Sequence, residues 1–149
     1  MNMNAADLLA TERFLHTHIP LAGAMGVKVE SYLDGKLVLT APLRANHNHL
    51  GTAFGGSLAT LATLAGYALL WIELGDRDAH IVIGKSEVHY RSPVRGDLRA
   101  VCERPDPVTL ATFKAQFARK EKARLTLDVI IDGDGGVGVE FRGTYVALR

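Results

Sequence analysis

Residues 46–57, NHNHLGTAFGGS, put amide, imidazole and hydroxyl side chains among three glycines and run directly into a long apolar segment. Gly51, Gly55 and Gly56 permit tight turns and let another group approach the backbone closely. If a helix starts here, the amides near Gly55 and Gly56 have no intrahelical acceptor and carry the positive end of the helix dipole. Such a position can hold a carbonyl oxygen as it becomes an oxyanion. Paired glycines at a helix start also let a helix pack tightly on a sheet, and the pattern alone fits both readings. At about 100° per residue, Gly56, Thr60, Thr63 and Tyr67 fall within about 60° of one another, a polar stripe on an apolar rod. The ordinary partner of a helical threonine is the carbonyl one turn back. The alternative is a polar slot, roughly 10 Å long or more, running down from Gly56.

Other combinations of letters lead elsewhere. Gly133-x-Gly135-x-x-Gly138 matches the dinucleotide fingerprint, but that motif needs a strand before it and a helix after it. Here a β-rich run follows, so the glycines are assigned to a hairpin turn. Gly84-Lys85-Ser86 lacks the glycine that a phosphate loop needs five residues earlier, where Ala79 stands. His16-x-His18 and His47-x-His49 have no carboxylate or cysteine nearby to complete a metal-ligand set. No metal or other cofactor is expected.

The elements that must position the glycine-rich stretch are legible in outline. A short amphipathic helix over 5–16 is expected to end before Pro20. Two β-rich runs flanking Asp34-Gly35 predict a hairpin, because such turns need positive φ. A central helix over 52–74 is expected to stop at Gly75. Strands follow over 79–93 and 97–104, then a short helix over 106–120. A closing hairpin runs from 123–132 through the turn GDGG to 137–149. One long apolar helix amid five or six strands joined mainly by hairpins makes an α+β domain in which an antiparallel sheet wraps the helix. Edge strands of such a sheet invite pairing with a second copy.

Whole-chain properties narrow the function classes. The 149 residues, 48% apolar and 22% charged, make one domain, residues 1–149, with enough chain to bury a core. A net charge of +1 lacks the basic surplus of a duplex-binding module, so nucleic acid is not expected as a partner. The N-terminal MNMNAADLLATERF has no basic region followed by an apolar run, so no signal peptide is expected. Residues 58–74 are interrupted by Thr60, Thr63 and Gly66, and read as a helix buried in a core rather than in a membrane. A single cysteine, Cys102, fits a small buried residue and a cytoplasmic chain.

Asn48-x-x-Gly51-Thr52-x-Phe54-Gly55-Gly56 entering a long helix, with Tyr90-x-x-Pro93-Val94-x-Gly96-Asp97-Leu98 later, resembles the hotdog-fold thioesterase superfamily. The run GTAFGGSLATLATLAGYALLW is similar to the YiiD C-terminal-type thioesterases. The resemblance covers essentially the whole chain in element order. It implies a hotdog fold, an antiparallel sheet around one long central helix. It also implies edge-to-edge homodimers, or dimers of dimers, with two active sites at the dimer interface. The implied substrates are acyl thioesters of coenzyme A or acyl carrier protein, with the carbonyl polarised by the amide of Gly55 and Asn48 as the upstream polar residue.

Two positions depart from the common pattern. Many relatives have His where Phe54 stands, and an Asp or Glu where Thr63 stands. That carboxylate serves as nucleophile or general base, and threonine takes no proton at neutral pH, although with Asn48 it could orient a water. The resemblance also implies an alternative, since members resembling this narrower family decarboxylate malonyl groups on acyl carrier protein, giving an acetyl primer for fatty acid synthesis. That reaction needs no base, only stabilisation of the enolate oxygen at Gly55 and Asn48. At Thr63 a neutral hydrogen bond replaces the charge that would repel a malonyl carboxylate. Thioesterase-type hydrolysis is the broader expectation and malonyl-thioester decarboxylation the alternative. A non-catalytic acyl-thioester-binding subunit is a third reading. Substrate contacts are further expected from His49, Phe54, Gly56, Thr60 and Tyr67. Arg91 and Ser92, beside Arg95, are expected near the pantetheine or nucleotide end.

Overall fold

The computed structural model describes residues 2–149. Helix α1, Ala5–His18, is capped by Asn4, whose side chain accepts from Asp7 N–H at 2.9 Å. Pro20 does more than end that helix, because it occupies the first position of a second one, α2, Pro20–Met25, where its fixed φ and missing N–H cost nothing. Strands β1, Lys28–Leu33, and β2, Lys36–Ala41, are joined by Asp34 and Gly35 at φ of 50° and 74°, the positive pair of a tight hairpin. The long helix α3, Gly55–Leu74, ends at Gly75 in the left-handed conformation. Strands β3, His80–Tyr90, and β4, Leu98–Glu103, follow. Helix α4, Pro107–Lys120, is capped by Asp106. The hairpin of β5, Lys122–Gly133, and β6, Gly136–Leu148, closes the chain.

All strand pairs are antiparallel, in one six-stranded sheet of order β1-β2-β4-β5-β6-β3. The α+β expectation of a sheet wrapped around a central helix is what the chain adopts. Along β5, Ala123, Leu125, Leu127, Val129 and Ile131 point inward while the residues between them are exposed, the period of two that lets a sheet bury one face. Those side chains share one buried core with Leu58, Leu61, Leu64, Leu69 and Leu70 of α3. By length and composition α3 could cross a membrane, and the sheet is what covers its apolar surface here. At Gly66 the helix is packed tightly against the sheet: a β-carbon there would collide with the phenol of Tyr145, whose hydroxyl donates to the Thr63 carbonyl at 2.8 Å.

The far end of α3 is fixed by charge. Glu73 is a fully buried carboxylate that accepts from Tyr32 Oη at 2.7 Å, from Arg104 Nε and Nη2 at 3.1 Å each, and from Lys114 Nζ at 3.3 Å. Burial alone would raise its pKa. Hydrogen bonds from Arg104 and Tyr32, with the Arg104 charge, outweigh burial and hold it below the usual carboxylate range.

Strand β3 differs from the rest. It is last in the sheet and pairs only with β6, and of its residues only Ile81 is buried. Val82 and Ile83, on opposite faces, are 49% and 38% exposed.

Candidate active site

Helix α3 begins without a side-chain cap, unlike α1 and α4, because Phe54 holds the capping position and offers no acceptor. Leu58 N–H bonds the Phe54 carbonyl at 3.1 Å as the first intrahelical bond. The amides of Gly55, Gly56 and Ser57 therefore open outward at the positive end of a 20-residue helix.

The loop ahead of the helix is folded to present that end. Phe54 N–H donates to the Asn46 carbonyl at 2.7 Å and Ala53 N–H to the Val94 carbonyl at 2.8 Å. Asn48 closes the loop tip. Its Oδ1 accepts from Leu50 N–H at 2.8 Å and Thr52 N–H at 3.2 Å, and its Nδ2 donates to Thr52 Oγ1 at 2.9 Å. One Nδ2 hydrogen remains for a ligand. Gly51, at φ of 81°, makes the reversal.

Phe54 is 55% exposed, and its ring lies across Gly56, where a side chain would collide with it. His49 is exposed at the loop tip. The threonines take their ordinary partners: Thr60 Oγ1 donates to the Gly56 carbonyl and Thr63 Oγ1 to the Ala59 carbonyl, each at 2.8 Å. Their oxygens stay free to accept. Tyr67 is half-buried, and burial raises its pKa. Phe54, Gly56 and Thr60 line one cleft at the start of α3, Asn48 lies in the loop ahead with its side chain turned onto Leu50 and Thr52, and Thr63 stands roughly 12 Å along the axis from Gly55.

Arg91 and Ser92 face the β5–β6 hairpin. Arg91 Nε pairs with Glu140 Oε1 at 2.7 Å, Ser92 Oγ donates to the Val137 carbonyl at 2.9 Å, and Arg95 Nε pairs with Asp134 Oδ2 at 2.9 Å. The glycines of the fingerprint-like motif serve this contact: a β-carbon at Gly133 would stand 2.5 Å from both Gly138 Cα and Ser92 Oγ. Of the histidine pairs, His16 Nε2 bonds the Val27 carbonyl at 2.6 Å, and His18 bonds the Phe14 carbonyl and stacks on the Phe14 ring.

Sequence reasoning missed two neighbours of the helix start. Tyr90 Oη donates to the Gly55 carbonyl at 3.3 Å, and its ring would lie 3.6 Å from a β-carbon at Gly55. Tyr90 was visible only as part of a strand motif, since nothing local joins residues 35 apart. Asn46 is 2% exposed, and its Nδ2 donates to the carbonyls of Met25 at 2.9 Å and Pro42 at 2.8 Å. Beside it a cleft of about 340 Å³ opens between α2, residues 45–46 and the first turns of α3, walled by Leu21, Met25, Phe54, Ser57 and Thr60 among others. Every residue lining it is uncharged.

Comparison with known proteins places the chain in context. Residues 8–149 match the family model described as "Putative thioesterase (yiiD_Cterm)". A protein of unknown function from Chlorobaculum tepidum TLS is 34% identical, with a TM-score of 0.90 over 96% of this chain and 94% of that one. A protein from Shewanella oneidensis described as a "putative thioesterase" is 29% identical, with a TM-score of 0.81 over 95% and 97%. A thioesterase from Haemophilus influenzae, 14% identical with a TM-score of 0.66 over 95% and 90%, shares the fold.

Proposed function

The chain belongs to the thioesterase family described as yiiD_Cterm, and from that premise we propose that it is an enzyme acting on acyl thioesters carried by coenzyme A or acyl carrier protein. The observation that carries this reading is the uncapped start of α3, with three amides open at Gly55, Gly56 and Ser57 and Asn48 in the loop ahead. A thioester oxygen seated on these amides is stabilised as charge builds on it. Loss of one such donor typically lowers kcat by about 100- to 1,000-fold.

In the hydrolytic reading, attack of water on the carbonyl carbon puts the developing charge on the carbonyl oxygen, held by the Gly55 N–H; collapse breaks the C–S bond, and the proton given up by the water goes to the departing thiolate. The free Nδ2 hydrogen of Asn48 and the free lone pairs of Thr63 orient that water. Within one protomer the roughly 12 Å from Gly55 to Thr63 separates these roles. A second copy laid antiparallel along the open edge of β3 brings its own Thr63 toward this Gly55. The double exposure of β3, with Val82 and Ile83 uncovered, supports such a homodimer, or a dimer of dimers. A cytoplasmic location belongs to the same reading.

One observation favours a second reaction. Thr63 supplies no charge, and the cleft beside Gly55 and Gly56 is lined entirely by uncharged residues. A malonyl carboxylate there is poorly solvated; its C–C bond breaks to release carbon dioxide, the electron pair passes to the enolate oxygen held by the amides, and the enolate carbon then takes a proton from water to give the acetyl thioester. Mass spectrometry of malonyl- and acetyl-loaded carrier protein and coenzyme A, with wild type beside Asn48→Ala, separates the two. Loss of about 44 Da from the malonyl species alone, abolished by the substitution, establishes decarboxylation. Release of free thiol from either acyl group establishes hydrolysis. No turnover of any thioester overturns the enzyme reading in favour of an acyl-thioester-binding subunit.

A further inference from the structure

Two glycines open α3, and the fold requires only one of them. A β-carbon at Gly56 would stand 2.4 Å from the Phe54 ring. A β-carbon at Gly55 would meet only the Tyr90 ring, at 3.6 and 3.8 Å, which is ordinary van der Waals contact. Gly55 is the first residue of α3 and holds no left-handed φ. Neither backbone strain nor crowding therefore demands glycine there, and alanine would lose less conformational entropy on folding. What the missing side chain leaves is a gap of methyl size between the first open amide of α3 and a flat aromatic ring.

Tyr90 is placed to touch whatever enters that gap. It is the last residue of β3 and pairs with Val139, which is buried, so its side chain lies on the sheet face that carries α3. The backbone just beyond it is fastened, since Arg91 N–H and Ser92 N–H both donate to the Gly138 carbonyl, at 2.7 and 3.3 Å. Yet the ring is 55% exposed, unlike the buried rings of Tyr32 and Tyr145. Its hydroxyl bond to the Gly55 carbonyl is long, 3.3 Å, and the helix's own amide one turn on also takes that oxygen, so a ligand displaces the phenol at little cost. Phe54, equally exposed, lies over Gly56, about 100° further round the helix. Two aromatic walls thus flank the open amides.

We infer that Tyr90 is a substrate-contacting residue: the planar thioester group enters the gap that Gly55 leaves, its oxygen on the Gly55 amide and its flat face against the Tyr90 ring. The ring supplies orientation. A wall fixed to β3 holds the plane of the thioester so that its oxygen points at the amide as charge builds on it. The hydroxyl keeps the ring over Gly55 until a ligand enters.

This inference rests on the acyl-thioester reading, and its test uses a ligand that cannot react. Acetyl-pantetheine with CH₂ in place of sulfur, a ketone, is titrated by NMR against wild type carrying ¹³C-labelled tyrosine. The Gly55 amide and the Tyr90 ring are expected to shift along one binding curve, the ring signal being assigned by its loss in Tyr90→Phe. Gly55→Ala is expected to keep or raise Tm while weakening the ketone at least about tenfold, because its methyl fills the gap. Tyr90→Phe keeps the wall and is expected to bind within about threefold of wild type, whereas Tyr90→Ala weakens binding about tenfold.

A Tyr90 ring that stays unmoved while the Gly55 amide titrates overturns the inference, as does a Gly55→Ala chain that binds like wild type. These two readouts decide the matter even if Tyr90→Ala does not fold. No shift at either position at millimolar ketone also overturns it. Turnover of thioesters is followed in parallel. Turnover with an unmoved Tyr90 ring keeps the enzymatic reading and removes the role of Tyr90, and joint titration without turnover of any thioester does the reverse.

Discussion

Gly56 and Gly66 both lie on α3, yet they are glycines for different reasons, and substitution separates them. A methyl at Gly56 meets the far end of the Phe54 ring, which is 55% exposed and free to swing outward. A methyl at Gly66 meets Tyr145, which is 1% exposed and tied to the Thr63 carbonyl. Gly66→Ala is expected to destabilise by about 1–3 kcal/mol through overpacking, visible as a lower Tm. Gly56→Ala is expected to leave Tm within a few degrees while reducing turnover, because it displaces Phe54 from the edge of the cleft. An equal loss of Tm in the two variants would contradict this assignment. Cys102 gives a third reading at this scale. Burial first, and then the nearby charges of Asp128 and Glu103, push its thiol up to about 12. Alkylation by iodoacetamide at pH 8 is expected to be undetectable in the folded chain and rapid in denaturant. Prompt labelling of native protein would show that the strand carrying Cys102 opens.

At the scale of elements, α3 is held differently at its two ends. Its start is left chemically open, while its last turn is fastened to β1, the residue after β4, and α4 through Glu73, Tyr32, Arg104 and Lys114. Glu73→Gln leaves Arg104 and Lys114 without their counter-charge. They are 31% and 40% exposed and regain some water, so the expected cost is about 2 kcal/mol, below that of breaking a fully buried pair. Because the pKa of Glu73 is lowered on folding, its contribution is complete above the ordinary carboxylate value near 4.5 and is lost as pH falls below it. Denaturant midpoints of wild type and Glu73→Gln should therefore differ most above pH 6 and converge toward pH 3. A gap that widens in acid would mean that another group sets the trend. The local sequence specified these elements well where its signals were local. The Asp34-Gly35 turn, the Gly75 stop and the Asp106 cap are decided by residues within a few positions of one another. The α2 helix was not legible, because Pro20 ends one helix and starts the next, and a six-residue helix carries too little periodicity to announce itself.

For the molecule as a whole, β3 is the unresolved edge. A long strand with apolar side chains exposed on both faces is a liability in a monomer and an interface in a dimer. The double substitution Val82→Asp with Ile83→Asp is expected to halve the mass seen by light scattering. It should also abolish thioester turnover although Asn48 and Gly55 are untouched. A monomer that keeps full activity would show that one protomer holds a complete site. The sequence by itself determined the α+β class, the central helix with its glycine-rich start, and the family, because the alternation of side chains, the turn residues and the motif are written in neighbouring positions. It also limited the chemistry, since Thr63 supplies no carboxylate wherever it falls. Only the tertiary structure decided that Tyr90 lies against Gly55, that Arg91 and Ser92 turn toward the β5–β6 hairpin, and that Asn46 is buried with one oxygen unmet. Those facts depend on contacts between residues tens of positions apart. They come into being only when the sheet closes around α3, and no local propensity encodes them.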